Sequence, residues 1–188
     1  RNQYWPSGKL PVDMEHIIES DLKLYIDPKP GLLQATDMEA YLQSDLEGIV
    51  VDYDHYMDER FANRMRFSFA HELGHFFLHK SFYSTVAYES AEEWKDVILS
   101  MPDTEHRNFE YQANEFAGRL LVPLANLIYE IEVSIETLRR INMLEYLKND
   151  TDAVLSLIST QLAKPFGVST DVIETRAKRE GLWPPEVK

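Results

Sequence analysis

The chain has no cysteine, an absence that removes disulfide staples, zinc–thiolate knuckles and thiol nucleophiles together. Basic residues are scarce as well. Nineteen Lys and Arg stand against 32 Asp and Glu, for a net charge of −13 at pH 7, whereas contacts to a phosphate backbone need clustered cations. Nucleic acid is therefore disfavoured as a partner, and the acidic surface reads first as a solubility feature. No apolar run approaches the roughly 18 residues of a membrane span. The N-terminal "RNQYWPSGKLPVDMEH" lacks the charged-then-apolar pattern of a signal peptide, so a soluble, cytoplasmic protein without a membrane partner is expected. Internal repeats and low-complexity tracts are missing too, and the chain is read element by element.

What is present suffices for a core. Of 188 residues, 44% are hydrophobic and 12% aromatic, which suits one compact unit better than two large domains. In "VDMEHIIESDL" Asp13 can cap a short helix, and "LKLYI" alternates like a strand before the breaker "DPKPG". "TDMEAYLQSD" reads as a second short helix, and "LEGIVVDY" as a β-branched strand running into the turn-like "DHYMDE". A central helix is expected over residues 58–79. Ser90 and Glu93 have capping-box spacing. A long helix opening at Asp103 or Thr104 should stop at Val122, because the residue before Pro123 is pushed out of helical geometry. Further amphipathic helices are expected after Pro123, from Ser134, from Thr151, and from Ser169 to Gly181. The pattern predicts an α+β chain, mainly helical, with a small antiparallel N-terminal sheet and a C-terminal helical bundle. Its two parts are residues 1–122 and 123–188.

The central helix carries the chemistry. Turning about 100° per residue from Phe61, the apolar side chains Phe61, Ala62, Met65, Phe69, Leu73 and Phe76 fill one side, and other apolar residues spread well beyond it. Arg64, Ser68, His71, Glu72, His75 and His79 share the remaining sector. His71 and His75 are four positions apart, so their imidazoles stack on one face and can converge on one ion, with Glu72 one step round. This H-E-x-x-H constellation holds zinc through two neutral imidazoles and a third ligand, leaves a position for water, and uses the glutamate as general base. Gly74 costs about 1 kcal/mol against alanine inside a helix, which points to another backbone or a substrate passing close by.

The third ligand must come from elsewhere. From His71 to His79 a straight helix rises about 12 Å, so His79 cannot share the ion and is assigned to the helix end. The extended metzincin pattern also fails, because Leu78 and Ser81 stand where it needs glycine and histidine. In "NFEYQANEFAGRLLVP" the residues Phe109, Ala113, Phe116, Ala117, Leu120 and Leu121 form an apolar stripe that contains Glu110, while Glu115 points the opposite way. A carboxylate inside such a stripe is expensive unless paired or bound to metal, so Glu110 is the strongest candidate. Asn114, one turn on, could orient a ligand. His106, one turn before Glu110, is a formal alternative ligand and a better candidate for a substrate or oxyanion contact; Tyr83 and Tyr88 are the other oxyanion candidates.

"RFSFAHELGHFFLH" followed by "EYQANEFAGRLLVP" resembles the ImmA/IrrE family of bacterial metallo-endopeptidases. The looser likeness runs from "LPVDMEHI" through "GIVVDYD" to the C-terminal helices, and Val122 stands where that family often has methionine. The resemblance implies a zincin-like domain, with His71, His75 and Glu110 as metal ligands and Glu72 as catalytic base. It also implies zinc as cofactor, with manganese as the alternative, and limited cleavage of a specific regulatory protein such as a helix-turn-helix repressor in a stress switch. The rival is a metal-binding sensor or protein-binding module without turnover. Glu72 argues against it, since a structural site needs no base and usually closes with four protein ligands. The segment 152–181 has the cadence of a helix-turn-helix, with Ser169 as N-cap. Lys164, Arg176, Lys178 and Arg179 are offset there by Asp171, Glu174 and Glu180, so packing or substrate docking is expected in place of DNA contact.

Overall fold

The fold is that of a computed structural model, which describes residues 8–143 and 150–185. The start of the N-terminal stretch and residues 144–149 of the C-terminal part lie outside the described residues. The chain divides into two compact units, Arg1–Ala117 and Gly118–Lys188.

In the first unit the Asp13 carboxylate accepts from the His16 N–H at 3.0 Å and starts a wide helical segment, His16–Asp21, that buries Ile17 and Ile18. There follow β1 (Tyr25–Lys29), α1 (Leu32–Thr36), β2 (Ala40–Leu42), β3 (Gly48–Asp52) and α2 (Tyr53–Met57). After these come a single tight turn Glu59–Phe61, α3 (Ala62–Leu78), α4 (Lys80–Tyr83), α5 (Ala91–Ser100) and α6 (Asp103–Leu121), whose last turn belongs to the second unit. Asp58 accepts from the Arg60 N–H to open the turn before α3, and Ser90 accepts from the Glu93 N–H to open α5. The helix 58–79 thus resolves into a capped turn and a 17-residue helix.

The sheet departs from the antiparallel expectation. Its order is β1-β3-β2, with β2 antiparallel and β1 parallel to β3. Every residue of β3 is buried, as a central strand of Val and Ile requires. The chain between β1 and β3 is long enough to cross over, which is what parallel pairing needs. It holds α1 and β2, neither of them expected: "TDMEAYLQSD" supplies a strand where a helix was predicted, and "DHYMDE" supplies α2 where a turn was. Helix formers such as Glu39 and Ala40 lose here to pairing with β3, a tertiary gain that local propensity does not contain. Strand β1 also runs through Pro28, which an edge strand tolerates because one of its sides makes no ladder bonds.

Strand β2 lies at the other edge and positions the site. The Gln43 N–H donates to the Gly48 carbonyl and the Asp52 N–H to the Glu39 carbonyl, both bonds linking β2's ends to β3. By the alternation of a strand, Leu42 turns its N–H and C=O outward.

Helix α3 crosses α6 at Gly74. A Cβ built on Gly74 would stand 2.8 Å from the Ala113 Cα and 3.0 Å from its carbonyl oxygen. The close approach inferred from the glycine is therefore that of another backbone. Gly74→Ala gains about 1 kcal/mol of helix propensity but must force two backbones apart, at about 1–3 kcal/mol. A net loss of thermal stability and weakened metal binding are expected; melting and zinc titration of the variant check both.

The second unit is helical: α7 (Leu124–Arg140), α8 (Thr151–Phe166) and α9 (Thr170–Arg179). The two helices expected after Pro123 and from Ser134 are one continuous helix. Its core includes Leu127, Ile131, Leu155, Leu162, Phe166 and Ile173, all buried. Pro165 lies inside α8, which runs on through Phe166 until Gly167 in the left-handed region (φ 61°) stops it. Ser169 holds the N-cap position of α9 without a side-chain bond. Arg176 turns inward and donates to Glu180 at 2.6 Å, and Lys178 pairs with Asp152 at 2.8 Å. Arg176 and Lys178 are thus engaged within the second unit.

Among the described residues no helix is long and apolar enough to cross a membrane.

Candidate metal centre

The side chains of His71, His75 and Glu110 converge: one ligand atom from each lies within 4.8 Å of the others. His71 and His75 come from successive turns of α3, and Glu110 faces them from α6. The two Nε2 atoms are 2.9 Å apart, and Glu110 Oε2 and Oε1 lie 3.3 Å and 3.6 Å from the Nε2 atoms of His71 and His75. Bonds of about 2.0–2.1 Å to a tetrahedral ion would set ligand atoms about 3.3 Å apart. The observed separations bracket that figure, so the donor set fits a zinc-sized cation.

Each imidazole is also held from behind. His71 Nδ1 lies 3.1 Å from Asn114 Oδ1, an acceptor, so Nδ1 carries the proton and Nε2 faces the cluster. His75 Nδ1 lies 2.9 Å from His79 Nδ1, whose Nε2 lies 2.9 Å from Gln112 Oε1. His79 does close the helix, but its ring bonds to His75 and Gln112. Phe109 stacks on both rings, with centroids 4.3 Å and 4.1 Å away. The i+4 spacing of His75 and His79 is visible in the sequence; the role of Gln112 is not.

Burial lowers the His71 pKa, but Glu110, Glu72 and Asn114 outweigh it and raise the imidazole above its usual range. For His75 burial dominates, reinforced by the other histidines, and the ring is held well below its usual pKa.

Glu72 lies beside the cluster, only 7% exposed. The Leu42 N–H of β2 donates to its Oε2 at 2.9 Å, and the Tyr88 hydroxyl donates to the Leu42 carbonyl. Edge strand and glutamate are thereby tied together. Burial pushes Glu72 up to about 7, the charges of His71 and Glu110 acting in opposite directions. A bound dication would lower that value. Below about pH 4.5 Glu72 is protonated whether the chain is folded or not, so burial costs nothing there. As pH rises past 7 the folded chain must hold a buried carboxylate. Metal-free Glu72→Gln is therefore expected to be more stable than the parent by about 2–3 kcal/mol at pH 8 and no different at pH 4. Denaturant titration at the two pH values checks it.

The rest of the polar sector has another role. Arg64 pairs with Glu39 Oε1 at 2.7 Å, Ser68 donates to Oε2 at 2.8 Å, and His55 also meets Oε1. Arg64 and Ser68 fasten α3, and His55 fastens α2, to the residue before β2. His106 is half-buried and close enough to His75 to act on its charge. The Tyr83 hydroxyl is buried beside Tyr88, and the Tyr88 hydroxyl donates to the Leu42 carbonyl.

Residues 58–178, well over half of the chain, match the family model for the IrrE N-terminal-like domain of Peptidase_M78. The matched span contains α3 and Glu110. No curated protein and no solved structure matches the chain.

Proposed function

Since the chain belongs to the Peptidase_M78 family, a metallopeptidase family, we propose that it is a zinc-dependent endopeptidase in which His71, His75 and Glu110 hold the ion and Glu72 is the general base. The observation carrying this reading is the convergence of two imidazole nitrogens and a carboxylate beside a second, buried acid. Two nitrogens and an oxygen suit zinc, and by the usual order of affinities zinc outcompetes manganese at such a set.

Zinc, when bound, would acidify a water and polarise the scissile carbonyl. Glu72 takes the proton of the attacking water and passes it to the leaving amine, a task suited to a group poised near neutrality. Asn114 orients His71 through its Nδ1 proton. His106 contacts the substrate or the developing oxyanion.

The substrate is a specific regulatory protein, such as a helix-turn-helix repressor, cut at a defined bond in the cytoplasm during a stress response. Residues 1–122 form the metallopeptidase core, and residues 123–188 a helical subdomain that packs or docks the substrate. Incubation of the zinc-loaded chain with a neighbouring repressor, beside Glu72→Gln, is the test. One defined cut that the variant loses supports the enzyme; binding without a cut supports the sensor or binding module.

A further inference from the structure

We propose that His79 and Gln112 form a hydrogen-bond relay that fixes His75 in the tautomer presenting a bare Nε2 to the cation. The proposal rests on the metal-binding reading of the site.

The proton count sets the direction. A neutral imidazole has one N–H and one lone pair, so a contact between two ring nitrogens needs a donor on one side and an acceptor on the other. Gln112 Oε1 can only accept. In a neutral His79 the Nε2, 2.9 Å away, therefore carries the ring's single proton. His79 Nδ1 is then a lone pair and accepts from His75 Nδ1 at 2.9 Å. His75 has spent its proton on His79, and its Nε2 is left open toward His71 and Glu110. If the chain of donors ran the other way, an N–H on His75 Nε2 would point into the cluster and block coordination.

The surroundings keep the relay from being bypassed. His75 is 2% and His79 9% exposed, so water is excluded as a substitute partner and an unmatched ring nitrogen would be costly. Phe109 stacks on both rings and holds them in register. Helix α6 orients both histidines with amide oxygens: Asn114 reaches the shallower His71 directly, and Gln112 reaches the deeper His75 through His79. His79 is thus a positioning residue whose effect passes through His75.

The experiment is chelator-competition titration with zinc on the full chain carrying His79→Phe or His79→Asn. Phenylalanine keeps the stack on Phe109 and removes both hydrogen bonds; asparagine keeps an oxygen where Nδ1 accepts. His79→Phe is expected to bind zinc about 10- to 100-fold more weakly and His79→Asn within about threefold of the parent. Zinc binding by the phenylalanine variant at parental strength, or an equal loss in both variants, overturns the relay. Nitrogen-15 imidazole NMR on the unsubstituted, metal-free chain gives a second decision that needs no variant to fold. A neutral His79 protonated on Nε2 supports the proposal, and one protonated on Nδ1 overturns it. If the unsubstituted chain takes up no zinc, the metal reading fails, while the tautomer measurement still decides the relay.

Discussion

Replacing Glu72 by glutamine is expected to lower peptide hydrolysis by about 10²- to 10⁴-fold, the usual contribution of a positioned general base, while zinc uptake stays as in the parent. The two expectations separate because Glu72 touches the site without belonging to the cation-binding set. Its Oε2 accepts from the Leu42 N–H, a bond that a glutamine oxygen can keep, so the edge strand stays where it is. The amide has no affinity for a proton near neutral pH and cannot serve as base. The loss should fall on kcat more than on KM, since the proton moves only on the way to the transition state. A variant that retains more than a tenth of parental turnover would rule out Glu72 as the base. Zinc lost along with activity would instead indicate that Glu72 is a ligand. Read by single-turnover cleavage and metal analysis of the same preparation, these outcomes cannot be confused.

The candidate metal site is largely legible in the sequence because its information is local. Four residues of helix place His71 over His75, and Glu110 stands out as a carboxylate in an apolar stripe. Gly74 is legible for a similar reason: a glycine in a buried helix has few uses other than close approach, and the Ala113 backbone fills the space. The groups behind the ligands are less legible. Leu42, whose N–H holds Glu72, is 30 positions away and acts through its backbone, so its side chain carries no signal. Its strand reads as a helix in sequence, because β2 takes its conformation from β3 and not from its own propensity. Gln112 is 33 positions from His79 and looks like any polar helix residue. The antiparallel expectation for the sheet holds for β2 and not for β1, because local alternation reports that a strand exists and is silent about its partner's direction.

Glu110→Ala should remove zinc binding at concentrations that saturate the parent, with an affinity loss beyond the 10- to 100-fold that follows from disturbing a ligand's support alone. His71→Ala should do the same, because either change leaves two protein ligands where a hydrolytic zinc site needs three. Of the two, Glu110 gives the cleaner test. Its side chain is 35% exposed, so truncation leaves no deep cavity, and the metal-free variant should melt close to the metal-free parent. Zinc then separates them. At a hundredfold excess over Kd the parent gains about 2.7 kcal/mol of stability, and Glu110→Ala gains none. The parent's gain should also grow as pH rises through the His71 titration, because the cation must displace a proton that Glu110 and Glu72 help that ring to hold. Removing Glu110 takes away the ligand and part of the reason His71 keeps its proton, so the pH dependence should flatten in the same variant that loses the metal. Equal zinc-induced shifts in the two proteins would show that Glu110 is not a ligand and would leave the two histidines without a partner for the ion.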